Sequence, residues 1–176
     1  MAVVTDDDGS YFVSPTVFVT VEKNDKTQII SLKKGWNLIS INVHTADSSI
    51  ETLFTNLDVQ EIKTLDKFWM KGQNNIFNSL SVITSGNGYL VKMNNAGTLM
   101  VTGTPDFLGF QNLEDLPAGW SLLGCPFQSA SPFSTYFNTS NCSIIRSFDG
   151  LWMPNGTTNS ISNLDPGKGY FMNVIK

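Results

Sequence analysis

The sequence predicts a mainly β protein made of two tandem, duplicated small β-sandwich or barrel-like modules, each with one short helix, plus an N-terminal strand. Three observations carry that expectation. A set of short motifs occurs twice, in the same order. Apolar residues alternate with polar ones in short runs bounded by turn residues. The charged fraction is only 15%, and Asn, Ser, Thr and Gly fill the polar positions instead. These residues satisfy backbone groups locally or take positive φ, which suits turn-rich β structure.

The repeat is read first, because a fixed period fixes the architecture. Gly35-Trp36-Asn37-Leu38-Ile39-Ser40 returns as Gly119-Trp120-Ser121-Leu122-Leu123-Gly124, 84 residues later. Asp66-Lys67-Phe68-Trp69-Met70 returns as Asp149-Gly150-Leu151-Trp152-Met153. Asn78-Ser79-Leu80-Ser81 matches Asn159-Ser160-Ile161-Ser162, and Gly86-Asn87-Gly88-Tyr89 matches Gly167-Lys168-Gly169-Tyr170. The expected division is residues 1–27 as an N-terminal strand segment, 28–106 as the first module and 107–176 as the second. Modules of this size bury only about 60% of their unfolded surface, so the pair is expected to share an interface.

In chain order, Asp6-Asp7-Asp8-Gly9 is a turn signal, and Tyr11-Phe12-Val13 and Thr16–Val21 read as strands. Trp36 to Val43 reads as one strand whose core face carries Ile39, Ile41 and Val43, matched by Leu123, Cys125 and Phe127. Its opposite face turns polar at Ser40 and Asn42. Ser48-Ser49 before Ile50, Leu53 and Phe54 predicts a short helix, and Ser131-Pro132 before Phe133 and Phe137 predicts its counterpart. Asp149-Gly150 is a two-residue hairpin signal. The Gly-x-Gly-Tyr motifs open a closing strand in each copy. Thr98–Gly103 is a further strand that the second copy lacks.

Composition narrows the function classes. The net charge is −4 and no basic run is present, so nucleic acid is not an expected partner. No apolar run approaches the roughly 18 residues of a membrane span. No secretory leader is legible at Met1–Val4, so export would draw on a signal outside these residues.

The ordered Gly-Trp-Asn-Leu-Ile-Ser and Gly-x-Gly-Tyr motifs resemble tandem repeats of large extracellular surface proteins of bacteria and archaea. The resemblance covers residues 28–176. It implies secretion to an extracellular or cell-surface location, modular architecture and a structural or adhesive role. It supplies no catalytic residues.

The residues themselves point the same way. His44 is the one histidine, and no Gly-x-Ser-x-Gly nucleophile motif accompanies it. The Gly-x-Gly pairs precede a strand and lack a third glycine, so they read as turns. Asp66 and Asp149 read as turn residues. Asp6 and Asp8 are candidate calcium ligands, against the alternative of a solvated acidic turn; no other cofactor is expected. Trp69 and Trp152 are candidate sugar platforms, against core packing. Cys125 and Cys142 stand where the first copy has Ile41 and Val59. Simultaneous change at two core positions points to a disulfide in an exported protein, against a pair of buried thiols.

The leading expectation is therefore a non-enzymatic structural or adhesion module. It would associate with other surface proteins or with itself by strand addition. Thr16–Val21 would complete a sheet of its own second repeat or of the next molecule. The alternative is a carbohydrate-binding module of a secreted enzyme.

Overall fold

A computed structural model of the chain describes residues 3–5, 7–9, 11–13, 24–106 and 116–176. Strands β1 (Val3–Thr5) and β2 (Tyr11–Val13) pair antiparallel, Val3 opposite Val13, on either side of a turn at residues 7–9. The expected strand Thr16–Val21 lies outside the described residues, and so does its proposed role in completing a sheet.

The N-terminal half is two antiparallel sheets sharing one core. Strands β3 (Lys26–Leu32), β4 (Gly35–Ile39) and β5 (Val43–His44) come first. After the helix come β6 (Val59–Lys63), β7 (Phe68–Met70), β8 (Tyr89–Met93) and β9 (Gly97–Pro105). One sheet has the order β3-β9-β5 and the other β4-β8-β6-β7. The first contributes Ile30, Leu32, Leu99 and Val101 to the core, the second Ile39, Val59, Ile62, Trp69, Val91 and Met93. Both sheets are apolar on the facing side, and stacking them buries it. On β9 the alternation is plain: Leu99 and Val101 are buried while Thr98, Met100 and Thr102 are exposed.

The C-terminal half contains β10 (Gly119–Gly124), β11 (Ser131–Pro132), β12 (Cys142–Ser147), β13 (Gly150–Trp152), β14 (Asn163–Leu164) and β15 (Gly169–Val174). Its main sheet has the order β10-β15-β12-β13, matching β4-β8-β6-β7 strand for strand. Register matches too. Gly35 faces Met93 and Gly119 faces Val174. Ile62 faces Trp69 on one side and Val91 on the other. Ile145 faces Trp152 and Met172 in the same way. Even the irregularity recurs, between Val59 and Glu61 and between Cys142 and Ile144. Gly35 and Gly119 open the first strand of each sheet at φ +87° and +102°, a turn that a side chain would strain. The expected boundary at 106/107 falls at the start of a stretch outside the described residues.

Three local expectations shift. The strand read as Trp36–Val43 is broken at residues 40–42, although Ile39, Ile41 and Val43 do face the core. The helix is a single α turn, α1 (Ile50–Leu53), in the first half and only a 3-10 turn, Phe133–Thr135, in the second. Ser49 makes no side-chain cap on α1. Asp47 holds that corner instead, accepting from the Ser49 amide (2.8 Å) and the Thr52 hydroxyl (2.7 Å). The hairpin turn is Phe148-Asp149, because Gly150 is already paired with Ser147.

Candidate functional site

The site grows from the ends of β4 and β10. Just past them the chain leaves its own sheet and meets the Gly-x-Gly loop of the other half. Ile39 bridges Lys168, and Leu123, its counterpart, bridges Asn87. The Ser40 amide donates to the Gly167 carbonyl (3.1 Å), and the Gly124 amide donates to the Gly86 carbonyl (2.8 Å). These contacts come in twofold-related pairs, so the halves meet as a homodimer would. The second glycine of each loop sits against the partner strand. A Cβ on Gly88 would lie 2.7 Å from the Leu123 carbonyl oxygen, and one on Gly169 would lie 2.7 Å from the Ile39 carbonyl oxygen.

Polar side chains complete the seam where the repeat is imperfect. The Ser40 hydroxyl donates to the Lys168 carbonyl (2.8 Å) and accepts from the Cys125 amide (3.0 Å). The Asn42 amide group donates to the Phe127 carbonyl, and Gln128 Nε2 donates to the Asn42 carbonyl, both at 2.7 Å. Ser40 and Asn42 are fully buried, so each unmade bond would cost about 1–3 kcal/mol. Sequence reasoning read them only as a polar face. The available signal was that both interrupt a strand whose counterpart carries Gly124 and Pro126.

Two clefts flank this seam. One, of about 530 Å³, is lined by Leu32, Lys33, Leu38, Phe148, Asp149 and Lys168 among others. The other, of about 510 Å³, is lined by residues that include the counterparts Leu116, Pro117, Leu122, Leu65, Asp66 and Asn87, together with Trp120. In the first cleft the Lys168 ammonium donates to Asp149 (2.8 Å). That hydrogen bond and charge hold the Asp149 carboxyl below its ordinary value and the Lys168 ammonium above its own. Lys33 lies over the Phe148 ring, 5.9 Å from its centroid. In the second cleft Asp66 accepts from the Thr64 hydroxyl instead (2.8 Å).

The structure moves the expected site residues. Trp69 and Trp152 are 8% and 6% exposed, so they are not sugar platforms. Both lie on β strands whose inward face they occupy: Trp69 Nε1 donates to Glu51 (3.0 Å) and the Trp152 ring packs 5.4 Å from Phe133. The exposed tryptophan is Trp120. Cys125 and Cys142 are both free and buried, so the expected disulfide is not formed. Membership of one core is not enough for a bond, which needs close Cβ atoms at a set dihedral. Burial pushes each thiol up to about 11. Asp8 sits in the exposed turn, and Asp6 lies outside the described residues. Among the described residues no three His, Cys, Asp or Glu side chains gather as a metal site.

His44, Ser85 and Asp106 do come together. Ser85 donates to Asp106 Oδ2 (2.9 Å), and His44 Nε2 lies 3.6 Å from the same oxygen. In this arrangement the serine hydroxyl donates to the carboxylate and not to the imidazole.

Comparison of the chain with protein-family models, with curated proteins and with solved structures finds no match.

Proposed function

We propose that this chain is a non-enzymatic structural and adhesive module of an extracellular or cell-surface protein, with other surface proteins or further copies of itself as partners. The observation that carries this reading is the seam between the halves. Its paired main-chain hydrogen bonds run from Ser40 to Gly167 and from Gly124 to Gly86. A seam of main-chain bonds closed over small residues favours a stiff unit without an internal hinge, which suits a part that builds a surface or transmits tension. A second feature fits adhesion. The outer face of the β3-β9 pair exposes Ile29 and its cross-strand neighbour Met100, at 64% and 62%, beside Thr27 and Thr102. Exposed apolar side chains next to one another on a sheet are suited to contact with another surface. Immunolabelling and protease shaving of intact producing cells test the reading. The expected outcome is surface label lost on shaving; a protein confined to the cytosol overturns it.

A further inference from the structure

The two clefts are twins by position but not by chemistry, and the difference singles out one of them. In the cleft at Phe148 the polar groups consume one another: Lys168 pairs with Asp149, and Lys33 covers the ring. In the cleft at Trp120 neither of those closures is made among the described residues. Leu65 replaces Phe148, Asn87 replaces Lys168, and Pro117 replaces Lys33. Asp66 binds Thr64 through Oδ1 alone, so among the described residues its Oδ2 makes no hydrogen bond. Asn87 donates from its side chain to Thr84 (3.0 Å), and among the described residues its side-chain oxygen accepts no hydrogen bond. Lys67 belongs to the same lining.

The tryptophans differ in the same sense. Trp36 is roofed by two ammonium groups, Lys63 at 4.5 Å and Lys92 at 5.6 Å from its centroid. Trp120, its counterpart, is paired with Asn173 where Trp36 has Lys92. Among the described residues no cation lies over it, and it is 47% exposed.

We propose that the cleft at Trp120 binds a neutral pyranose sugar. An indole face is electron-rich and attracts the weakly positive C–H hydrogens on the flat side of a pyranose. Sugar hydroxyls are donors and acceptors at once, and the lining residues include both partners: Asp66 and Asn87 carry acceptor oxygens, and Lys67 carries a donor. The net charge of −4 weighs against an anionic ligand. A volume of about 510 Å³ falls in the range of small-molecule sites. The inference deepens the adhesive reading above and rests on it for the expectation that surface glycans are at hand.

The test is saturation-transfer NMR and calorimetric titration of the full chain against glucose, galactose, mannose, N-acetylglucosamine and their linear disaccharides. At least one is expected to receive saturation at its ring C–H protons. Trp120→Ala is expected to weaken that sugar roughly tenfold, and Asp66→Asn is expected to weaken it too. Trp120→Phe retains binding and guards against a folding artefact, and Trp36→Ala leaves the affinity unchanged. Failure of every sugar to bind overturns the proposal. Binding that survives Trp120→Ala, or that Trp36→Ala removes equally, overturns it as well. A surface-exposed protein that binds no sugar loses this inference alone; a cytosolic one that binds through Trp120 loses the adhesive reading alone.

Discussion

Phe133 stands where the N-terminal half has Ile50, and it fills the centre of its own core. Its ring lies 5.2 Å from Tyr170, edge-on, and 5.4 Å from Trp152. Cys125 replaces Ile41 in the same cluster, so a larger side chain at one position accompanies a smaller one at another. Cores tolerate such exchanges when total volume is kept. The Cys125 thiol donates weakly to the Phe127 carbonyl (3.8 Å). Burial holds both cysteines as neutral thiols, and the thiolate is the reactive form. The native protein is therefore expected to resist a thiol reagent at pH 8. After unfolding without reductant it should titrate two thiols. No reactive thiol in the unfolded chain would mean that the bond exists after all.

At the scale of elements, the β12–β13 hairpin shows a surface pair whose contribution is set by pH. Lys168 donates to Asp149, with the two side chains 48% and 59% exposed. That hydrogen bond lowers Asp149 from its ordinary 3.8. Its contribution is present above that value and disappears as pH falls through the lowered pKa. The same bond raises Lys168 from its ordinary 10.5. Its contribution is full below that value and disappears as pH rises through the raised pKa. The pair is thus expected to stabilise between these limits, by no more than about 1 kcal/mol because both partners are in water. A double-mutant cycle with Asp149→Asn and Lys168→Met, followed by urea unfolding, measures it. Coupling of about 0.2–1 kcal/mol is expected at pH 7, falling away as pH drops through the lowered Asp149 pKa. Coupling that persists in acid would show that charge is not the cause.

For the whole molecule, the seam depends on glycines that let one main chain touch another. A methyl group at Gly88 or Gly169 would enter the opposite carbonyl, and neither strand end can withdraw without breaking its bridge. Gly88→Ala and Gly169→Ala are each expected to destabilise by about 1–3 kcal/mol, the usual range for overpacking. Urea midpoints check this, and unchanged midpoints for both variants would show that the seam is loose. Because the two glycines occupy twofold-related places, similar losses are expected for each.

The sequence by itself determined the elements of this protein that depend on local chemistry. Period-two alternation marked Ile39, Ile41 and Val43 as one inward face, since a strand offers only two sides. The repeated Gly-Trp and Gly-x-Gly-Tyr motifs marked the first strand and the closing strand of each sheet, since turns at Gly35 and Gly119 require positive φ. What neighbours across the fold contribute was not legible. Trp69 and Trp152 look like any other strand tryptophans, and only the packed layer over them, with Glu51 and Phe133, decides that they are buried. Trp120 and Trp36 share a motif, yet lysines on strands distant in sequence cover one and not the other. Ser40 and Asn42 read only as a polar face until a second half is laid against them. Tertiary structure decided these points because exposure, unlike periodicity, is a property of what packs against a residue.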